Sequence, residues 1–161
     1  MLIRKATPFD ASAIAEYLFK AMEEITCNFV GRDKITEIKA LLTELAVQPA
    51  NQYSYEFTWV VELEGVIVGP VNIYDGARLH ELREPVAKLV EATFHKEFKP
   101  EDETAPGEWY LDCIGVSAAM QGKGIGSQLL NFLIDRYVKQ QELTIVNFGN
   151  THPLISVICT Q

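Results

Sequence analysis

The sequence predicts an α/β or α+β fold in which helices cover a central sheet. Two observations support this prediction. Apolar residues change along the chain between helical spacing and the alternation of a strand, and one strand runs through a glycine-rich stretch into an amphipathic helix. The chain has 161 residues, 48% of them hydrophobic and 22% charged, which predicts a single globular domain over residues 1–161.

A short strand, "MLIRKA", is predicted first, followed by two helices. Thr7 is placed to cap the first helix, with Pro8 at the first helical position and Asp10 three residues after the cap. Apolar residues then recur at helical spacing as far as Ala21, and the same spacing returns in "ITEIKALLTELAV". The first third of the chain therefore predicts a strand and two amphipathic helices.

The next segment, "YEFTWVVELEGVIVGPVNIY", predicts two strands joined by a turn at Glu64-Gly65. Because Pro70 has no backbone donor, we expect a bulge or a local loss of pairing there. Residues 77–99 have the spacing of a third helix, and the charged stretch "KPEDETAPGE" predicts an exposed loop. "WYLDCIGV" then predicts a strand, residues 127–139 a fourth helix, and "LTIVNF" a last strand.

Charge and cysteine usage exclude several classes of protein. The net charge of −8 argues against nonspecific nucleic-acid binding, because neutralising phosphates requires clustered Lys and Arg. The same negative charge suits a cationic substrate such as an amine. The cysteines are widely spaced and form no C-x-x-C pair, which predicts free thiols in a reducing cytoplasm and no metal site. No apolar run reaches the ~20 residues of a membrane helix, and the N-terminus predicts no signal peptide.

The stretch "MQGKGIGSQLL", residues 120–130, places Gly122, Gly124 and Gly126 at alternate positions before a helix. The unpaired N–H groups and dipole of a first helical turn attract anions, and glycine lets a phosphate approach the backbone closely. A dinucleotide fingerprint would need glycine where Ser127 stands, and the P-loop spacing fails as well. The stretch therefore predicts either another kind of anion site or a turn that only connects a strand to a helix.

The pattern "Q-G-K-G-I-G", after the strand "DCIGVSAAM", resembles motif A of the GNAT acetyltransferase superfamily, Q/R-x-x-G-x-G/A, and a weaker likeness extends over about residues 1–150. The resemblance implies a mixed, mostly antiparallel central sheet flanked by helices. It also implies acetyl transfer from acetyl-CoA, without a metal, to an amine of a small molecule or protein by direct attack in a ternary complex. The residues that it assigns to CoA are Ile114, Val116, Gln121, Gly122, Lys123, Gly124, Ile125, Gly126, Ser127 and Asn150.

Acetyl transfer requires a base, because an alkylamine with a pKa of about 10 is protonated at neutral pH. On the strand "EWYLDCIGV", residues 108, 110, 112, 114 and 116 are expected to share one face. Asp112 and Glu108 are therefore candidate bases, and Glu56 before the hairpin is a third. Asp112 is the favoured candidate, since a charge between apolar neighbours in a central strand must face a cleft or a partner.

Residues 151–161 form a divergent tail. Asn150 matches the asparagine that opens the family's last helix, but Val157 stands where its tyrosine is expected, and the final two strands have no counterpart. We expect an exposed edge on the last strand and a homodimer formed through the C-terminal region. Two other functions stay open: a non-catalytic acyl-CoA-binding or sensing domain, and an interaction module whose glycine loop is structural.

Overall fold

A five-stranded sheet lies between two layers of helices in the computed structural model, which describes residues 1–138 and 144–146. The elements in chain order are β1 Leu2–Lys5, α1 Ala11–Val30, α2 Ile35–Val47, β2 Thr58–Leu63, β3 Val66–Asp75, α3 Leu79–Phe94, β4 Glu108–Ile114, α4 Ile125–Leu133 and β5 Thr144–Val146. A π-helical turn, Ile134–Val138, continues α4.

The strands lie in the order β1-β2-β3-β4-β5. The first four pair antiparallel, whereas β5 lies parallel to β4, with Glu108 opposite Thr144 and Tyr110 opposite Val146. The prediction of a mixed, mostly antiparallel sheet flanked by helices is therefore confirmed.

Each face of the sheet carries its own apolar cluster. Val60 of β2 packs with α1, α2 and α3, where Leu18 and Leu42 are 1% and 3% exposed. The neighbouring residue Val61 faces the other side and packs with α4, where Leu129 is fully buried. Strand alternation thus places three helices on one face and α4 on the other.

The link from β1 to α1 is held by an ion-pair network. Asp10 accepts a hydrogen bond from the backbone N–H of Thr7 at 2.8 Å, which confirms the predicted capping arrangement. Arg4 donates to Asp10 Oδ2 at 2.8 Å and to Glu62 Oε2 of β2 at 2.7 Å. The hydrogen bonds from Arg4 are the main reason that the pKa of Asp10 is lowered to about 2.

Three predicted details need correction. Pro70 is paired opposite Val60, and the bulge of β3 lies at Val68, where the register shifts. The third helix ends at Phe94 because His95 adopts a left-handed conformation with φ of 54°. The fourth helix begins at Ile125, two residues earlier than predicted.

Candidate active site

A β-bulge in β4 presents Asp112. Asn72 of β3 pairs with Cys113, whereas the next residue, Ile73, pairs with Leu111, so Asp112 is an extra residue in the ladder. A bulge of this kind bends its strand and redirects a side chain. Asp112 therefore owes its position to an irregularity that sequence alternation does not reveal.

The bulge also changes which residues share a face. Leu111 packs with the α4 cluster and Cys113 with the α1–α2 cluster. Beyond the bulge, Ile114 and Val116 pack on the α4 side. The prediction that residues 112, 114 and 116 share a face is therefore wrong, because Asp112 is hydrogen-bonded to Gln52 on the opposite side, where Ile114 also borders the cleft.

This helix-side cleft lies between the second half of α1, α2, α3, β4 and the loop 98–103, and has a volume of about 1120 Å³. Burial raises the pKa of the Asp112 carboxyl to about 7, and the negative charge of Glu103 contributes to the rise. Gln52 donates a long hydrogen bond of 3.4 Å from Nε2 to Asp112 Oδ2, which opposes the rise. The result is a carboxyl that can accept a proton near neutral pH.

Polar side chains that the sequence analysis missed surround Asp112. The hydroxyl of Tyr110 donates to Glu103 Oε2 at 2.8 Å. Tyr74 is fully buried, and its hydroxyl has no hydrogen-bond partner within residues 1–138 and 144–146. Desolvation and the charge of Asp112 keep the phenol pKa values of Tyr74 and Tyr110 well above their usual range. Glu103 and Gln52 lie in irregular segments, where no periodic pattern could single them out.

The two other candidate bases, Glu56 in a 3-10 turn and Glu108 at the start of β4, accept hydrogen bonds from neighbouring loops. Glu56 accepts a hydrogen bond from the backbone N–H of Ala50 at 2.8 Å. Glu108 accepts from the hydroxyl of Thr104 at 3.0 Å and from the N–H of Ala105 at 2.9 Å. Both carboxylates thus fix loop geometry, and neither lines the helix-side cleft.

Beyond β4, the chain stays beside β3 and donates to it from alternate backbone N–H groups. Gly115 N donates to Pro70 O at 3.0 Å, and Ser117 N donates to Val68 O at 2.8 Å. Because successive N–H groups of an extended strand point in opposite directions, those of Ile114 and Val116 point away from β3. The family resemblance assigns these two residues to CoA, and N–H groups directed away from β3 are consistent with that assignment.

Tyr17 of α1 covers the end of this segment. A Cβ added to Gly115 would come within 2.6 Å of the Tyr17 ring, so the close packing of α1 requires glycine there. Burial raises the pKa of the Tyr17 phenol, and the nearby Ser117 side chain opposes that rise. The helix therefore brings a protonated hydroxyl beside the strand end.

The glycine loop turns sharply into α4. Gly122 and Gly124 have φ values of 74° and 77°, a conformation that favours glycine, and Gly124 caps the helix. Gly126 has no such backbone requirement, and a Cβ there would meet Val116 Cγ2 at an ordinary 3.8 Å. Neither folding nor packing thus explains Gly126, whereas the close approach of a ligand to the first turn of α4 would.

The remaining predicted CoA residues take different positions. Gln121, Lys123 and Ser127 are exposed around the loop, and Lys123 Nζ lies 3.4 Å from Met120 Sδ. Ile125 is only 3% exposed and packs in the α4 cluster, so its side chain anchors the helix. Asn150 and the tail 151–161 lie outside the described residues, and so does the predicted dimer surface.

Two further properties of the described part of the chain concern metal and membrane binding. Its His, Cys, Asp and Glu side chains nowhere come together in a group of three that could hold a metal ion. Its helices are all too short or too polar to cross a membrane.

Known proteins share this architecture. Residues 18–153 match the model of the acetyltransferase (GNAT) family, which covers most of the chain. The chain therefore belongs to the GNAT acetyltransferase family. A comparison with curated proteins finds no significant match.

Solved structures show the same likeness. A crystal structure described as an acetyltransferase has 29% identity and a TM-score of 0.74, with 84% of this chain and 74% of that chain covered. An N-acetyltransferase from Staphylococcus aureus Mu50 has 21% identity and a TM-score of 0.68, with 84% and 76% covered. The ribosomal-protein-alanine N-acetyltransferase of Brucella melitensis biovar Abortus 2308 has 20% identity and a TM-score of 0.52, with 94% and 81% covered. The last two similarities concern the fold alone.

Proposed function

We propose that the protein is an acetyl-CoA-dependent N-acetyltransferase whose general base is Asp112. The observation that carries the proposal is the placement of this carboxyl. It has a pKa of about 7, lines a large cleft and lies two residues before Ile114, whose N–H points away from β3. Acceptor amine and acyl donor can then meet at one strand end, each from its own side of β4.

The glycine loop fits the phosphates of acetyl-CoA. The first N–H groups of α4 have no partner within the helix, and the helix dipole favours an anion there. The open face at Gly126 gives a phosphate room, and Lys123 is an exposed cation in the same loop. Gly122 and Gly124 supply the left-handed backbone that places these amides before the helix.

Acetyl-CoA supplies an acetyl thioester, and the residues of this chain handle the proton and the developing charge. Asp112 accepts a proton from the ammonium group, which makes the amine nitrogen nucleophilic. The N–H of Ile114 or Val116 can donate to the thioester oxygen as it gains negative charge. The new C–N bond replaces the C–S bond, and the proton that the nitrogen then loses passes to the leaving thiolate through water or through the Tyr17 hydroxyl.

Two measurements test this proposal. Calorimetric titration with acetyl-CoA and with CoA measures binding, and a thiol-release assay with a panel of amines measures turnover. We expect both ligands to bind and amine-dependent thiol release to follow. Binding without release for any amine would favour the sensing domain, and the absence of binding would favour an interaction module.

Three finer predictions accompany the proposal. The amine is either a small molecule or a protein amino group, the protein acts in the cytoplasm, and the chain forms a homodimer through its C-terminal region. The helix-side cleft, which is open and lined by charged side chains, suits a soluble cationic acceptor. The dimer follows from the apolar tail, and light scattering tests it below.

A further inference from the structure

The deep end of the helix-side cleft is built from hydrogen-bond acceptors. Asp112 and Glu103 both line it, and the charge of Glu103 acts directly on the Asp112 carboxyl. Glu103 receives one hydrogen bond, from the Tyr110 hydroxyl, which leaves further acceptor capacity on its two oxygens. Two carboxylates that repel each other are stabilised by a ligand that brings positive charge between them.

Gln52 adds an unpaired acceptor at the same place. It lines the cleft, is only 4% exposed, and its Oε1 has no partner among the side chains and backbone that the structure describes. Its Nε2 is directed to Asp112. A buried carbonyl oxygen without a partner costs free energy, so this atom indicates a donor that binds from the cleft. An ammonium group has three donors and no acceptor.

The balance of charge around the cleft favours a cation as well. Six carboxylates line it, from Glu23, Glu24, Glu101, Asp102, Glu103 and Asp112, against the cations Lys20, Arg32 and Arg83. Arg83 is the buried cation, and its Nη1 donates to Asp102 Oδ1 at 2.9 Å. Its Nη2 donates to the carbonyl of Glu101 at 3.3 Å. The guanidinium charge of Arg83 is thus paired with Asp102, whereas its buried Nε has no hydrogen-bond partner among the described residues.

Away from the carboxylates, the walls are apolar. Phe29 of α1 and Phe98 of the loop pack edge to face, with ring centroids 6.1 Å apart. Helices α2 and α3 contribute further apolar wall residues: Ile38, Leu41, Leu42, Val86, Val90 and Phe94. A ligand that fills this region removes apolar surface from water, so a small polar amine would leave much of the available binding free energy unused.

We propose that the acceptor is a hydrophobic amine, a primary ammonium group attached to an apolar body. Its nitrogen lies among Asp112, Glu103 and Gln52, and its body lies along the apolar walls. This substrate class rests on the proposed acetyltransferase function, but binding to the cleft can be measured without turnover. Calorimetry with the amine alone therefore tests the cleft, and thiol release tests the reaction.

The experiment compares three probes at pH 7 and ~0.15 M salt, where long-range attraction is screened. Phenethylamine carries both features, ethanolamine has the charge without the ring, and phenylacetate has the ring with the opposite charge. We expect phenethylamine to bind at least tenfold more tightly than either of the others. Equal or tighter binding of phenylacetate, which Arg83 could pair with, would overturn the proposal. Equal binding of ethanolamine, or no saturable heat with phenethylamine, would do the same.

Two matched variants locate the contact. Glu103→Gln removes one charge and keeps an oxygen that can accept from Tyr110, so the fold is retained. We expect it to weaken phenethylamine binding at least fivefold. Glu91→Gln makes the same change on the exposed surface of α3, outside the cleft lining, and should leave affinity unchanged. Equal effects of the two variants would mean general charge attraction and would refute the assignment to this cleft.

Discussion

Replacing Asp112 with Asn should make the protein more stable and less active. The pKa of this carboxyl rises from 3.8 to about 7 on folding. Between those values the folded protein holds a proton that the unfolded chain has released, so this group's contribution to stability falls as the pH rises through the window. A shift of this size corresponds to about 4 kcal/mol against the folded state at pH 8. Asn carries no charge and avoids this cost.

The stability gain should depend on pH in a defined way. At pH 8, removal of about 4 kcal/mol of unfavourable free energy corresponds to a rise in Tm on the order of 10 °C for a chain of this length. Near pH 4 the carboxyl is protonated in the folded state, and the advantage of Asn should nearly disappear. Activity should move the other way, with kcat at neutral pH lower by ~10²-fold or more and CoA affinity near the parental value.

Thermal melts at pH 4.5, 6 and 8 measure the first effect, and thiol release with a turned-over amine measures the second. Glu108→Gln and Glu56→Gln serve as comparators, because those carboxylates accept hydrogen bonds from turns outside the cleft. Equal melting temperatures of variant and parent at pH 8, together with unchanged turnover, would refute the role given to Asp112. A loss of activity in Glu108→Gln as large as in Asp112→Asn would move the base to Glu108.

Three other predictions concern the loop, the N-terminal network and the tail. Gly126→Glu should weaken CoA binding at least tenfold in calorimetry with little change in Tm, because the new carboxylate would repel the phosphates. The control variant Asn131→Glu, five residues further along α4, should bind CoA normally. Asp10→Asn should lower the free energy of unfolding by about 2 kcal/mol at pH 7 in urea titrations. This difference between variant and parent should vanish as the pH falls towards 2, because Asp10 of the parent is then protonated and its pairing with Arg4 is lost. Light scattering over a concentration series should show self-association that depends on residues 151–161, and a monomer at high concentration would contradict it.

The sequence predicted the architecture well, because the core follows simple periodicity. Leu41, Leu42 and Leu45 recur at helical spacing and are buried in α2. The glycine loop was equally predictable, since the left-handed conformations of Gly122 and Gly124 leave a compositional signal. Helical periodicity and glycine conformation each depend on a few neighbouring residues, and a single sequence is sufficient to predict them.

The candidate acceptor site was predicted only in part. Asp112 was predictable because a charge in an apolar strand is unusual. The sequence also predicted that Ile114 and Val116 share its face, and the bulge at Asp112 makes that part of the prediction wrong. Gln52 reaches the cleft from a loop 60 residues away in the chain, and Glu103 reaches it from the loop before β4. Such contacts depend on tertiary structure, for which a single sequence gives no periodic signal.

The proposed base, Asp112, makes β4 one residue longer than a regular ladder with β3 requires. Leu111 and Cys113 already face opposite sides of the sheet and pair with adjacent residues of β3. A chain without residue 112 would therefore form a regular ladder, with every downstream side chain and N–H direction unchanged. In backbone terms Asp112 is a one-residue insertion, so its deletion should leave CoA binding intact and abolish turnover. Catalytic competence and cofactor binding can then be inherited separately, through a change in strand length alone.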